Sequence, residues 1–289
     1  MMTKTLRLYA TATLLIAGLF FIVPAQAQNA PKRAITKIAG DLYRFQNNFH
    51  FSVFLVTPDG VIVTDPINAD AATWLKAEIK TRFNKPIRYL ILSHDHSDHS
   101  AGGEVFADTA TVIAHENAKA TIVGESRPTA VPDLTFSDTM TVSLGGKQVE
   151  LTYVGASHSD NLIVMNFPAE RTLFAVDIVS VRRVAYKTLS DSYFPGWIHA
   201  LKKMEAIDFD ILAPGHGPLG AKADIAANRG YMSGLYSGVL NGLRKGETLE
   251  SLKSNLTLDE YKGWGRYKEW RPLNIEGVYN RIQLQRRAR

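Results

Sequence analysis

From Asp41 onward the hydrophobic residues fall in short runs broken by turn residues, and these runs then alternate with stretches of helical spacing. Two apolar runs, 51–56 and 61–64, flank Pro58-Asp59-Gly60, a turn signal, and predict a β-hairpin. Trp74, Leu75, Ile79 and Phe83 recur at helical spacing and predict a helix over 71–83. Residues 87–92 form an apolar-rich run interrupted only by Arg88, the pattern of a central strand buried on both faces. Further strands are expected at 110–114, 148–154, 162–167, 172–176 and 211–214, with helices at 196–207 and 221–243. The sum is a mixed α/β domain over 35–220 followed by a helical C-terminal extension, 221–289. No repeat, low-complexity block or Pro/Gly/Ser-rich linker marks a boundary.

The first residues follow another logic. Lys4 and Arg7 precede an apolar run, roughly 8–23, that ends at Pro24 and the small-residue triplet Ala25-Gln26-Ala27. Such an order is that of a secretory signal peptide, 1–27, cut after Ala27. An uncleaved anchor fits less well, because the run is short for a spanning helix and contains Tyr9, Thr11 and Thr13. The expected location is therefore periplasmic or secreted, with no stable membrane anchor after cleavage.

Export changes the meaning of the formal charge of +5. Without Lys4 and Arg7 the chain keeps 31 basic against 28 acidic residues. Residues 261–289 alone hold eight basic residues against Glu269 and Glu276, so residues 28–260 are slightly acidic. The basic balance belongs to the tail, which argues against a nucleic-acid partner. The end, Arg286-Arg287-Ala288-Arg289, reads as solvated. Trp264, Tyr267, Trp270 and Tyr279 read either as a partner surface or, preferably, as the packing of C-terminal helices onto the domain. With no cysteine in 289 residues, thiolate ligands, disulfides and cysteine nucleophiles are excluded. Metal chemistry must run on His, Asp and Glu.

That chemistry has an obvious place. Ser93-His94-Asp95-His96-Ser97-Asp98-His99-Ser100-Ala101-Gly102-Gly103 follows the expected central strand directly and gathers three of the eight histidines. From this composition an H-x-H-x-D-H string arises by chance about 3 times in 10,000 such chains. Imidazoles two residues apart in an extended loop project the same way and can bind one ion. A tight turn then aims Asp98 and His99 at a neighbouring point, and the two glycines let the chain turn sharply beside them. A solvated histidine-rich loop would not explain why the cluster ends a buried strand.

Two metals need more ligands than one loop supplies. His158 sits in a loop between two expected strands, and His216 in the turn Ala213-Pro-Gly-His-Gly-Pro218 after another. Asp177 follows the apolar run Leu173-Phe-Ala-Val176, where a charge is expensive to bury without a partner. Each lies where a strand runs out, the edge at which α/β architectures gather ligands. His115 and His199 lack this placement and read as structural and surface residues. His50, in Asn47-Asn-Phe-His-Phe51, either borders the site or is structural.

These positions resemble the metallo-β-lactamase fold superfamily, whose members carry H-x-H-x-D-H, a later His, an Asp and a final His. Here they are His94, His96, Asp98 and His99, then His158, Asp177 and His216, over about 45–220. The resemblance implies an αββα four-layer sandwich and two metals. It would place His94, His96 and His158 on one ion and Asp98, His99 and His216 on the other, with Asp177 bridging. Nitrogen and oxygen ligands without sulfur suit Zn²⁺, with Mn²⁺ or Fe²⁺ as alternatives.

The departures inform the substrate. One β-lactamase subclass has Cys where this chain has Asp177 and another has Ser, whereas an Asp there resembles hydroxyacylglutathione hydrolases and acyl-homoserine lactonases. Oxygen-reducing di-iron relatives replace the second His of the motif by Glu, so His96 argues against that activity. Paired cations would make hydroxide available near neutral pH for attack on a carbonyl, with Asp98 orienting the nucleophile and shuttling its proton. The expected reaction is hydrolysis of a lactone, thioester, ester or β-lactam. Alternatives are a metallo-β-lactamase proper, a phosphodiesterase or sulfatase, and a non-catalytic metal-binding module. After Asp177, the residues Arg183 and Tyr186 are the candidate substrate-binding pair. The partner is a small molecule, and the sequence leaves the oligomeric state open.

Overall fold

The computed structural model describes residues 30–287; the expected signal peptide, 1–27, lies outside the described residues, as do Ala288 and Arg289. Strands β1 (Arg33–Ala39), β2 (Leu42–Asn47), β3 (His50–Thr57) and β4 (Gly60–Thr64) form an antiparallel meander. Helix α1 (Ala69–Phe83) then crosses over to β5 (Ile87–Ile91), which pairs parallel to β4. The short α2 (Ser97–Ser100) precedes β6 (Thr111–His115), α3 (Glu116–Gly124) and β7 (Leu134–Phe136), completing a seven-stranded sheet in chain order. The hairpin, the first helix and the central strand thus lie where the hydrophobic pattern puts them, within two residues.

A second sheet takes β8 (Thr139–Leu144), β9 (Lys147–Tyr153), β10 (Ile163–Phe167) and β11 (Thr172–Ala175). Helix α4 (Phe194–Glu205) returns the chain to β12 (Ile211–Pro214), parallel to β11, and the two-residue β13 (Gly220–Ala221) closes that edge. Helices α5 (Lys222–Arg244), α6 (Leu249–Asn255) and α7 (Tyr267–Arg287) follow.

The alternation of side chains along central strands builds the layers. Val53 and Leu55 of β3 and Ile62 of β4 face inward, onto Leu151, Ile163, Met165 and Phe174 of the second sheet. Their neighbours Phe54, Val61 and Val63 face the other way, onto Leu75 and Ile79 of α1 and Ile122 of α3. Val164, Leu173 and Leu212 of the second sheet likewise pack against Trp197 and Leu201 of α4, Leu235 of α5 and Val278 of α7. The architecture is the αββα sandwich with a helical C-terminal region. Among the described residues no helix is long and apolar enough to cross a membrane.

The last helix does more than cover a sheet. Asn274, fully buried, donates through Nδ2 to the carbonyls of Ala185 (3.0 Å) and Lys187 (2.6 Å) and accepts from the Tyr231 hydroxyl at 2.6 Å. Next to it, a Cβ on Gly277 would stand 1.7 Å from the Thr188 carbonyl oxygen. Helix α7 therefore presses against the irregular segment that follows Asp177. Replacing Gly277 by Ala must push that helix away, an overpacking cost of about 2–3 kcal/mol. The expected outcome in differential scanning fluorimetry is a fall in Tm of roughly 5–10 °C for a chain of this size. An unchanged Tm would show that α7 is not seated on the segment in this way.

Candidate metal centre

Every sequence-predicted ligand lies at the rim where strands of both sheets end. β5 delivers Ser93–His99, and the β9–β10 connection delivers His158. Asp177 stands just past β11, in the left-handed region at φ +59°, and His216 just past β12. Gly102, at φ +88°, turns the chain where a Cβ would be 2.4 Å from the Ala69 backbone nitrogen, so only glycine lets the loop lie on the start of α1. The Ser100 hydroxyl donates to the carbonyls of Asp95 and His96, both at 3.0 Å, and locks the turn that aims the ligand candidates.

Two groups of side chains converge. His94, His96, His158 and Asp177 form one, and Asp98, His99, Asp177 and His216 the other, with donor atoms within 4.8 Å of one another in each. In the first, His158 Nε2 stands 3.0 Å from His96 Nδ1, and Asp177 Oδ2 lies 3.6 Å from both His94 Nε2 and His158 Nε2. In the second, His99 Nε2 and His216 Nε2 face each other at 3.1 Å, and Asp177 reaches His99 at 3.4 Å and His216 at 3.1 Å. Asp98 Oδ2 is 3.6 Å from both of those rings.

These separations test whether a cation fits. Ligands at 2.0–2.1 Å around a tetrahedral ion stand roughly 3.3 Å apart. The observed edges, 3.0 to 3.6 Å, bracket that value in both groups. His94 Nε2, fully buried, has no hydrogen-bond partner among the described residues, a cost that an ion would remove. The residues fit a pair of divalent cations sharing Asp177.

The electrostatics agree. Burial acts to raise the Asp177 carboxyl, but His99, His216 and His158 outweigh it and hold it well below the usual carboxylate range. Burial, reinforced by His99, pushes the His94 imidazole well below its ordinary value, leaving a neutral ring with a free electron pair. Burial opposes charge on His216 too, yet Asp177 and Asp98 raise it to about 9. Two anions among this many imidazoles form a site that attracts positive charge.

A second layer of residues holds the first. Asp65, fully buried, accepts from the backbone N–H and the hydroxyl of Ser93 at 2.7 Å each and lies 3.3 Å from His99 Nδ1. The Ser93 hydroxyl is in turn 2.9 Å from His94 Nδ1. Asp95 exchanges hydrogen bonds with Asn161, fixing the His96 loop to the His158 loop. Asp191, half exposed, puts Oδ2 2.7 Å from His96 Nε2. Burial works against charge on His96, but the Asp191 carboxylate overcomes it and raises that ring.

His50 does border the site: its Nε2 is 3.4 Å from Asp98 Oδ2 and its ring lies edge-on to His216, with centroids 4.8 Å apart. His115 is elsewhere, accepting the Asn117 N–H at the start of α3 and stacking on Tyr153, and His199 is exposed on α4. Asp65 carries a signal in the sequence, since it follows the apolar strand 61–64 as Asp177 follows 173–176. Asp191, in a polar loop, carries none.

A cavity of about 650 Å³ opens over both groups. Asp98, Asp177 and His216 line one side, and Arg183, Tyr186 and Trp270 line another. The candidate substrate-binding pair therefore faces the same cavity as the ligand candidates.

An αββα sandwich with two histidine–carboxylate groups at its strand ends defines a class of metal-dependent hydrolases. The model of the metallo-beta-lactamase superfamily matches residues 47–216, and this chain belongs to that superfamily as one of its hydrolases. The fold of this family implies divalent-metal binding. The chain is 27% identical over 191 residues to the 2,4-dinitroanisole O-demethylase subunit alpha of Nocardioides sp. (strain JS1661), covering 64% of this chain but only 58% of that one. It is 24% identical over 223 residues to a type 2 metallo-beta-lactamase of Bacteroides fragilis, covering 71% and 89% of the two chains. A metallo-beta-lactamase from Pontibacter korlensis shares the fold at a TM-score of 0.64 and 22% identity, over 70% of this chain and 99% of that one.

The buried Asp65 carboxylate is expected to orient His99 directly and His94 through Ser93. Asp65→Asn should therefore weaken divalent-cation affinity by about 10–100-fold, as loss of outer hydrogen-bond partners does. Competition with a chromophoric chelator measures it, and wild-type affinity in the variant would remove Asp65 from the site.

Proposed function

We propose that this chain is an exported binuclear zinc hydrolase that uses water to cleave the acyl–oxygen, acyl–sulfur or acyl–nitrogen bond of a lactone, thioester, ester or β-lactam. The observation that carries this reading is the sharing of Asp177 between two complete, sulfur-free groups of donors. Such a donor set suits Zn²⁺, with Mn²⁺ or Fe²⁺ as alternatives. In this reading the ligands are His94, His96 and His158 on one side and Asp98, His99 and His216 on the other.

Divalent cations held there would supply an activated water and an electrophile for the carbonyl oxygen. The chain's own residues do the rest. Asp177, gripped by rings from both groups, sets the spacing of the site. Asp98 is about half exposed, with Oδ2 turned toward His50, His99 and His216. A carboxylate so placed accepts a proton from the attacking water and returns it to the leaving group. His50, 3.4 Å from Asp98, holds that carboxylate in line. Trp197 and Leu189 line the cavity and keep bulk water from its inner wall.

Export is supported by residues 1–27, and a small-molecule substrate by the cavity's size and by the acidic balance of 28–260. The mature protein should begin at Gln28 in a periplasmic or secreted fraction, as intact-mass spectrometry would show; a retained Met1 would refute export by cleavage.

The central test is metal content with hydrolysis of a panel: nitrocefin, a γ-lactone, a thioester, bis-p-nitrophenyl phosphate and 2,4-dinitroanisole. Two zinc ions per chain are expected, with carbonyl turnover that falls by more than about a hundredfold in His96→Ala. Phosphodiester turnover alone would select the other hydrolase class. Less than one metal per chain and no turnover would leave a non-catalytic module.

A further inference from the structure

Of the donor candidates, His216 has the least support from its own sheet. It stands in the turn after β12, and only the two-residue β13 lies between that strand and the sheet edge. The turn does not hold itself. Among the described residues, 215–219 make no backbone hydrogen bond with one another, and Gly217 adopts φ +93°. Nor is there slack around it. A Cβ on Gly215 would lie 2.6 Å from Val176 Cγ1 and 2.9 Å from His99 Cε1, so the turn runs flush against the second donor group.

Its shape is imposed from the other sheet. The Phe51 N–H, at the start of β3, donates to the Gly215 carbonyl at 2.8 Å. His216 Nδ1 stands 3.0 Å from the Phe49 carbonyl, which can only accept, so Nδ1 carries a proton and Nε2 is the atom turned toward Asp98 and Asp177. Arg44, on β2, completes the hold. Its Nη2 donates to the Pro214 carbonyl at 2.9 Å and to the Gly217 carbonyl at 2.7 Å, bridging the chain on either side of His216.

A guanidinium is a costly group to place there. Arg44 is 7% exposed, has no carboxylate partner among the described residues, and leaves its Nε without a hydrogen bond. Burial pushes it down to about 10, so it is still a cation at neutral pH. The Phe51 ring, with its centroid 3.7 Å from Cζ, covers one face and offers the charge its only other compensation. A buried cation without a counter-ion detracts from stability. What Arg44 holds, not the packing of the sandwich, accounts for its place.

We infer that Arg44 is a positioning residue for the second donor group: it fixes the turn after β12 so that His216 Nε2 meets Asp98, His99 and Asp177. The inference rests on the two-cation reading of the site and is independent of the substrate. Outer residues of this kind act on cation affinity through the ligand they orient.

The test follows binding, not turnover. Zn²⁺ is titrated into the metal-free protein against a chromophoric chelator, and His216→Ala and His158→Ala identify which binding step belongs to which group. In Arg44→Met the step sensitive to His216→Ala should weaken about 10–100-fold, while the other moves by less than about threefold. Arg44→Lys, whose ammonium still reaches a carbonyl but does not span two, should lose less at the same step. Arg44→Met should add less than about threefold in a His216→Ala background, where the turn has no donor left to aim, and act in full in a His158→Ala background.

Wild-type affinity at both steps in Arg44→Met overturns the proposal alone. So does an equal loss at both steps, or a full further loss on top of His216→Ala, because Arg44 would then support the fold at large. Should Arg44→Met fail to fold, Arg44→Lys decides by the same criteria. A single binding step in the wild-type protein, indifferent to His216→Ala, removes the two-cation reading and the proposal with it.

Discussion

The structure depends on a carboxylate surrounded by imidazoles. Asp177 lies within 3.1–3.6 Å of four rings that come from three separate segments of chain. Beside it ring nitrogens pair off, His96 with His158 at 3.0 Å and His99 with His216 at 3.1 Å, and the carboxylate supplies the negative charge at the centre of this crowd of imidazoles. Its left-handed φ shows that the backbone yields to the demand of the side chain. The loop after β5, the β9–β10 connection and the turn after β12 are all aimed at that one position. The two sheets supply the rigidity that such aim requires, since each arm leaves the end of a buried strand.

Around this core, precision comes from polar residues that never enter the cavity. Asp65 and Ser93 fix the rings at the base, and the Asp95–Asn161 pair fixes two loops against each other. Asp191 differs, because it belongs to the cavity-lining segment and yet touches His96. Through it the segment that shapes the far wall also bears on the candidate metal centre.

The fold was largely legible because its central strands are buried on both faces. Runs such as 61–64 and 87–92 need no partner to be recognised, and β12 falls where the pattern places it. The outer elements were not. β1, with Lys37 among its polar residues, has no long apolar run, and β8 alternates Met140, Val142 and Leu144 with Thr139, Thr141 and Ser143, the period of a half-buried edge strand that a search for continuous apolar runs passes over. At the site, residues at the ends of apolar strands could be read because a charge there demands a reason. Asp65 obeys the same rule, though no motif surrounds it. Asp191 and Trp270 could not be found this way: their roles arise from tertiary proximity between loops, which hydrophobic period does not encode.

The backbone pairing between Arg183 and Gly265 ties the cavity to the end of the chain. The donor groups are complete within 94–216, whereas this pairing joins Arg183 to chain 82 residues further on, past the last donor. The ligand candidates are thus carried by the strand ends of the sandwich, and the last helix closes one side of the cavity over them. Local opening of this last helix would widen the cavity while leaving both sheets intact, so the end of the chain sets how long the finished pocket lasts as well as its shape.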